Sequence, residues 1–172
     1  CITIDDYKAG NIMGDFVREQ GHKNIVYMGV NEDDIAVGIN RKKGFFDAFN
    51  SHFTINYVET DFSFKRAYEN SYKAVYFNPS IIVCATDNIA IGVNRYLMEK
   101  QIKVPETISV AGFGGYDIGT AIHPSLTTVS FDYEFLGFEA ADRMVSFIEE
   151  KSFKELRDVP IQLVKRDSVR KL

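Results

Sequence analysis

The sequence is poor in cysteine and has no long apolar run. Its 172 residues include two cysteines, too few for a disulfide scaffold or a cysteine-rich zinc site. Cys84 lies in an apolar run at 80–85, and we expect it to be a small buried side chain. No apolar stretch approaches the roughly 20 residues that a membrane span needs, and no basic and apolar segment indicates a signal peptide. We therefore expect a cytoplasmic protein without a membrane partner.

Positive charge is not in excess either. The 20 Lys and Arg residues face 24 Asp and Glu residues, which gives a net charge of −4. Neutralising a phosphate backbone requires an excess of cations, so we do not expect this chain itself to bind nucleic acid. The hydrophobic fraction of 45% and the charged fraction of 26% are ordinary for a soluble globular domain of this length.

The sequence also lacks a catalytic signature. It contains neither the Gly-x-Ser-x-Gly elbow of serine hydrolases nor a phosphate-binding P-loop. The glycine-rich run at 112–115 lacks the spacing of a dinucleotide-binding loop, and the acidic run at 32–34 is typical of a solvated turn. His22, His52 and His123 fall in turns or at helix ends. We therefore predict no catalytic residue, cofactor or metal ligand, and we do not expect an enzyme.

Short β-rich runs alternate with helical patterns along most of the chain. This alternation is typical of an α/β fold with a doubly wound, mainly parallel sheet, and the fully apolar run at 81–85 predicts a strand covered on both faces. We expect a five-stranded sheet from strands near 24–29, 55–59, 81–85, 108–113 and one strand of the tail. The pattern predicts helices over 6–20, 41–51, 64–72, 87–100 and 134–149, and strands over 2–4, 24–28, 55–58, 81–85, 108–113, 126–131 and 159–165.

Polar and aromatic residues follow the predicted strands. Arg41 opens a helix, Phe62 and Phe64 lie in a loop, and Asp87 follows the 81–85 strand, where it binds a ligand or simply caps a helix. The carboxyl ends of parallel strands meet at one edge of the sheet. We therefore expect Arg41, Phe62 and Asp87 to converge on one pocket, with a chemistry suited to a polyhydroxylated ligand.

Six segments, in order along nearly the whole chain, resemble the effector-binding core of LacI/GalR-type bacterial transcription repressors. The run at 112–116 together with 131–133 is most similar to sucrose-operon repressors, and residues 165–168 resemble the closing Arg-x-Ser of the family. The six segments are 5–10 (DDYKAG), 21–25 (GHKNI), 41–45 (RKKGF), 86–92 (TDNIAIG), 104–113 (VPETISVAGF) and 124–128 (PSLTT).

The resemblance implies a DNA-binding headpiece followed by two lobes shaped like periplasmic sugar-binding proteins. Residues 6–125 and 161–172 would form the C-terminal lobe, and residues 1–5 and 126–160 would be a remnant of the N-terminal lobe. On this resemblance, we expect the headpiece to lie outside the given sequence. Because no Met precedes a strand that already begins at Cys1, we also expect the sequence to be part of a longer protein.

The resemblance also implies effector-binding residues. By position, Arg41 corresponds to the family arginine that binds effector hydroxyls, and Phe62 to the aromatic residue that stacks on the effector. Gly114 stands where the family usually has a carboxylate. Either Tyr116 or Asp117 replaces that group, or the effector is anionic, and we favour an anionic effector. The implied effector-binding set is Arg41, Phe62, Thr86, Asp87, Tyr116, Phe131 and Tyr133.

The function that this resemblance implies is sensing of a sugar or sugar phosphate, relayed to operator DNA through the headpiece. It further implies a homodimer formed by the helix at 88–100, with Ile91 and Arg95, and by the region of Ile122. Two alternatives remain open at this point. One is a sugar-binding protein of a transport system, which shares the lobes, and the other is a small enzyme on a flavodoxin-like sheet, for which we find no nucleophile or cofactor loop.

Overall fold

The computed structural model describes residues 2–149 and 158–172. It contains a single mixed sheet flanked by helices on both faces. The strands are β1 (Asn24–Gly29), β2 (Thr54–Glu59), β3 (Ile81–Cys84), β4 (Ser109–Gly114), β5 (Thr127–Phe131) and β6 (Ile161–Val164). The helices are α1 (Asp6–Glu19), α2 (Lys42–Asp47), α3 (Phe64–Tyr76), α4 (Asp87–Glu99), α5 (Ile118–Ala121) and α6 (Tyr133–Ile148). A π-helical segment, Ile35–Arg41, lies directly before α2.

The sheet has the strand order β2-β1-β3-β4-β5-β6. Neighbouring strands are parallel from β2 to β5, and β6 is antiparallel to β5. The predicted α/β fold with a mainly parallel sheet is therefore confirmed. The prediction of five strands was wrong, because both strands of the tail join the sheet. In the described part of the chain, no helix has the length and apolar character needed to cross a membrane.

Two predicted boundaries differ from the structure. Residues 127–131 pair with β4, with Thr127 opposite Ala111, so they belong to the same sheet as the strands of residues 24–114 and not to a separate remnant. Residues 2–4 form no strand; the backbone turns there, with the Asp6 amide donating to the Ile4 carbonyl at 3.0 Å. Cys1 and the segment 150–157 of the predicted N-terminal lobe lie outside the described residues.

Side-chain caps fix where the helices begin. The Asp5 carboxylate accepts from the Lys8 amide at 2.9 Å before α1, and the Asp132 carboxylate accepts from the Phe135 amide at 2.8 Å before α6. Such caps satisfy amides that have no partner within the helix. At the end of α1, Gly21 adopts a φ of +88°, a conformation that favours glycine and ends the helix as predicted.

The core lies on both faces of the central strands. All four residues of β3 are buried, as predicted for a strand covered on both sides, and β1 and β4 are buried along most of their length. α6 differs, because no residue of it is buried. Its exposed apolar side chains include Phe138, Met144, Val145 and Ile148.

Helix α1 packs against α2 through glycines that allow close backbone contact. A Cβ atom added to Gly10 would come within 2.7 Å of the Phe45 amide nitrogen, and one added to Gly44 would come within 2.8 Å of the Tyr7 carbonyl carbon. Both distances are shorter than Cβ atoms tolerate, so these positions require glycine for the packing that holds Arg41 in place.

We expect Gly10→Ala to lower the free energy of unfolding by about 2–3 kcal/mol, because the added methyl group meets backbone atoms. Gly137 is the matched control, since it lies in a helix with nothing within 4 Å of an added Cβ. Gly137→Ala should raise stability by up to ~1 kcal/mol through helix propensity. Urea unfolding measures both changes, and a Gly10→Ala midpoint equal to that of wild type would contradict the packing account.

Candidate functional site

Strands β1 to β5 run parallel, so their carboxyl ends lie at one edge of the sheet. The loops that follow these ends carry the predicted effector-binding residues. In an open α/β sheet this edge is where ligands bind. The structure places Arg41, Asp87, Tyr116 and Phe131 at or near this edge, but Asp87 does not form the helix cap that was predicted for it.

Arg41 is the buried centre of this edge. Its Nε donates to Asp6 Oδ1 at 2.9 Å, its Nη2 donates to the same oxygen, and its Nη1 donates to the Ala85 carbonyl at 2.7 Å. The guanidinium carbon lies 5.0 Å from the ring centre of Phe113 and 5.2 Å from that of Phe131. A guanidinium has five N–H groups, so two remain for a ligand once these three hydrogen bonds are made.

The ion pair with Asp6 was missed in the sequence analysis. Asp6 lies in the first turn of α1, where a carboxylate is favoured by the helix dipole, and 35 residues separate it from Arg41. Both side chains are more than nine-tenths buried. Removing one partner would therefore leave a buried charge uncompensated.

Asp87 is fully buried and does not cap its helix, which corrects the predicted role. The cap of α4 is Thr86, whose hydroxyl accepts from the Ile89 amide at 3.4 Å. The Asp87 carboxylate instead accepts from the Gly115 amide at 2.8 Å, the Tyr116 amide at 3.1 Å and the Thr128 hydroxyl at 2.7 Å. It thus ties α4 to β5 and to the loop after β4.

Burial sets the protonation behaviour of Asp87. Loss of hydration raises the pKa of its carboxyl above the ordinary value, and the hydrogen bonds from Thr128, Tyr116 and Gly115 oppose that rise. The carboxylate is therefore held by donors, but its charge is less favourable here than in water.

The glycine-rich run after β4 is explained by this carboxylate. A Cβ added to Gly112 would collide with Asp87 Oδ1. Gly114 and Gly115 have φ values of +141° and +75°, which L side chains rarely adopt. A side chain at Gly114 would begin 3.2 Å from Asp87 Oδ2, so a second carboxylate at this position would face a like charge.

Phe131, which contacts Arg41, begins a chain of three aromatic rings. Tyr133 packs edge-to-face on Phe131, with ring centres 6.0 Å apart and planes at 75°, and stacks on Tyr116 at 6.0 Å and 24°. Tyr116 and Tyr133 are 39% and 43% exposed, whereas Phe131 is buried. Partial burial raises the pKa of Tyr133, so its hydroxyl stays protonated at neutral pH. The pair presents aromatic surface and hydroxyl groups to solvent.

Phe62 stands apart from this group. It lies in the loop after β2, the outermost strand, and is 44% exposed. Within the described part of the chain, Phe62 shares no ring contact with Phe131, Tyr133 or Tyr116. β1 and β3 separate its strand from β4. The convergence of Phe62 with Arg41 and Asp87 on one pocket stays a prediction.

Among residues 2–149 and 158–172, no three His, Cys, Asp or Glu side chains come together as a metal site.

His22 has a structural role: its Nδ1 lies 2.9 Å from the Ser80 hydroxyl and its Nε2 lies 3.1 Å from the Arg170 carbonyl. Burial lowers the pKa of this imidazole. Cys84 is buried and free, as predicted, and burial raises the pKa of its thiol well above the ordinary value.

Comparison with known proteins identifies the family. The model of the periplasmic binding protein-like domain matches residues 15–169, and the chain belongs to that family. Among curated proteins, it is 32% identical over 158 residues to the sucrose operon repressor of Staphylococcus xylosus. This alignment covers 90% of this chain and 49% of the relative. It is 29% identical over 164 residues to the HTH-type transcriptional regulator TreR of Escherichia coli, covering 94% of this chain and 51% of the relative.

A solved structure is also similar. The LacI family transcriptional regulator of Enterococcus faecalis with bound ribose superposes with a TM-score of 0.88 at 26% identity, covering 99% of this chain and 63% of that chain. The predicted resemblance to LacI-type regulators, and to sucrose-operon repressors among them, is confirmed. The chain spans about half the length of the curated relatives it matches.

Asp87→Asn should remove a pH dependence of stability. Folding raises the pKa of Asp87 above its ordinary value of 3.8, so the folded protein binds the proton more tightly than the unfolded protein does. The free energy of unfolding of wild type, relative to that of Asp87→Asn, therefore falls as the pH rises from about 4. The difference levels off once the carboxyl is ionised in both the folded and the unfolded protein. Urea unfolding between pH 4 and pH 8 measures this difference. Asp117→Asn, at an exposed carboxylate in the same loop, should keep the wild-type slope. A difference that grows with pH would refute the raised pKa.

Proposed function

We propose that this chain is the effector-binding part of a LacI-type transcription repressor that senses a sugar or sugar phosphate in the cytoplasm. The observation that carries the proposal is the exposed, stacked pair of Tyr116 and Tyr133, which Phe131 connects to the buried Arg41 at the carboxyl edge of the sheet. The regulators among the relatives support this function over a sugar-binding transport protein or an enzyme.

The site suits a ligand with apolar ring faces and hydroxyl groups. Tyr116 and Tyr133 supply flat surfaces for stacking and hydroxyls for hydrogen bonds, and Arg41 retains two N–H groups. The bound ribose of the Enterococcus faecalis relative is a ligand of this kind. Phe62 and Thr86 complete the proposed set, Phe62 from the β2 side and Thr86 next to Asp87.

The preference for an anionic effector loses support in this geometry. The Asp6 carboxylate offsets the charge of Arg41, and Asp87 adds a second buried carboxyl group at the same edge. The proposal therefore names sugars and sugar phosphates together, and the binding experiment distinguishes them.

We further propose that α6 belongs to a second lobe, with residues 1–5 and 132–160, and that residues 6–131 and 161–172 form the lobe described here. The exposed apolar side chains of α6, among them Phe138 and Ile148, support this division, because an apolar face of this size is normally covered. Tyr133 begins α6 and Phe131 ends β5. A ligand bound at this junction would shift the angle between the lobes and thereby the spacing of a DNA-binding headpiece on its operator.

A homodimer is part of the proposal. The face formed by α4 and the segment near Ile122 encloses a cavity of about 770 Å³, lined by apolar and charged residues such as Ile91, Arg95 and Met98. Met98 is 59% exposed. This face is the one that the family resemblance implies as the contact between two copies.

Ligand binding tests the function directly. In a thermal-shift panel of sugars and sugar phosphates on the complete protein, we expect at least one compound to raise the melting temperature. Tyr133→Ala should weaken binding of that compound about tenfold through loss of stacking surface, while Tyr133→Phe, which keeps the ring, should retain most of the affinity. Calorimetry measures both. No shift with any compound, or equal affinity for Tyr133→Ala, would contradict the proposed site.

Arg41→Ala should weaken ligand binding more strongly, by about ten- to a hundredfold, but it also leaves Asp6 buried without a partner. Its folded fraction must therefore be measured by circular dichroism beside the affinity. Operator binding by folded Arg41→Ala should survive, since the DNA-binding headpiece is separate, and the variant should no longer respond to its effector. An Arg41→Ala protein that responds normally would remove Arg41 from the site.

A further inference from the structure

The free edge of β2 is the feature that the proposed function leaves unused. Among the strands of residues 2–149 and 158–172, β2 pairs with β1 and has no neighbour on its other side. The Thr54 amide donates to the Lys23 carbonyl at 2.9 Å and the Thr60 amide to the Gly29 carbonyl at 2.8 Å, so the even-numbered residues of the strand face β1. Backbone groups of successive residues point to opposite sides of a strand, and those of Ile55, Tyr57 and Glu59 therefore point outward.

These outward groups are largely unpaired. The Glu59 carbonyl accepts a long hydrogen bond from Asn70 Nδ2 at 3.4 Å. The amides and carbonyls of Ile55 and Tyr57 have no partner on that side within the described part of the chain. Unpaired backbone groups along a strand are a ready template for another strand.

Apart from Glu59 at its end, β2 carries none of the features that usually keep a free edge from pairing. Its sequence, TINYVE, contains no proline and no lysine, and its pairing with β1 is continuous from Thr54 to Glu59 without a bulge. Proline, lysine and bulges are the common means of blocking edge-to-edge contact. This edge is therefore open to pairing.

Exposed aromatic side chains flank the edge. The end of α3 and β2 form a groove of about 490 Å³, in which Tyr72 is 56% and Tyr76 85% exposed. The residues that α3 buries are Ala67, Ser71 and Ala74, so the two tyrosines do not serve the core. Exposed aromatic surface of this kind, next to unpaired backbone, is typical of a contact surface.

The outward residues and the opposite charges of the groove fit a second copy of the chain. Ile55 and Glu59 lie at equal distances from Tyr57 along the strand. Suppose that two copies of β2 pair antiparallel with Tyr57 opposite Tyr57. Each residue whose backbone groups point outward then meets another such residue, and Ile55 lies opposite Glu59. No two like charges face each other in this register. The groove carries both Lys73 and Glu59, as a surface that contacts its own copy requires.

We propose that β2 pairs antiparallel with β2 of a second copy of this chain, with Tyr57 at the two-fold axis, so that two six-stranded sheets become continuous. This contact is separate from the proposed dimer face on α4. With both contacts present, dimers associate further as the concentration rises.

Disulfide trapping tests the register. Residues directly opposite in such a pair have Cα atoms about 5.5 Å apart, within the range of a disulfide. In the complete protein carrying Cys1→Ser, Tyr57→Cys should therefore crosslink two chains under mild oxidation. Ile55→Cys is the matched control, because Ile55 faces Glu59 and not itself, and it should crosslink roughly tenfold less. Adding Met98→Glu, which disrupts the other proposed contact, should leave the Tyr57→Cys crosslink in place.

Sedimentation velocity tests the association without altering the strand. Wild type should form a larger species as its concentration rises from about 1 to 100 µM, and the pair Tyr72→Glu and Tyr76→Glu should weaken that step more than tenfold. Lys65→Glu, on the same helix but outside the groove, should not. A single wild-type species at 100 µM, association unchanged by the tyrosine substitutions, or equal crosslinking by Tyr57→Cys and Ile55→Cys would overturn the proposal.

Discussion

The hydrogen bonding of one buried carboxylate, that of Asp87, holds the carboxyl edge of the sheet together. It joins the start of α4 to the Thr128 hydroxyl of β5 and to the backbone of the loop after β4. Three consequences follow from this arrangement. The loop must be glycine-rich, β5 must carry a hydroxyl at Thr128, and the ring of Tyr116 is placed where it can stack on Tyr133. The position of Tyr116 thus depends on a side chain that is itself buried.

Arg41 has a related double role. Its ion pair with Asp6 fastens α1 to the segment before α2, and its hydrogen bond to the Ala85 carbonyl fastens that segment to the end of β3. The same guanidinium lies between Phe113 and Phe131. A residue that the resemblance assigns to effector binding is therefore also a structural tie between three parts of the lobe, and the loss of either role has to be measured separately.

Much of the fold was predictable because its signals are local. The apolar run at 81–85 indicates a covered strand, and the caps and helical spacing indicate α1, α3, α4 and α6. The predicted cap at Asp87 was wrong because Thr86 and Asp87 both favour that position, and only the fold decides which of them takes it. The Arg41–Asp6 pair and the pairing of β6 could not be predicted, since their partners are far apart in sequence and meet only through packing. The position of Phe62 after the outermost strand could not be predicted either, because the strand order is set by packing.

The π-helical segment Ile35–Arg41 has a consequence for how this sequence can vary. Its wider turns are set by an i to i+5 hydrogen bond from the Ile39 amide to the Asp34 carbonyl at 3.1 Å, and Gly38 lies so close to Asn31 that a Cβ would come within 2.9 Å of its carbonyl carbon. Deleting one residue between Asp34 and Ile39 would convert the segment to an ordinary α-helix. The deletion would also rotate Arg41 by about 100° around the helix axis. Natural relatives should therefore keep the number of residues from Asp34 to Arg41.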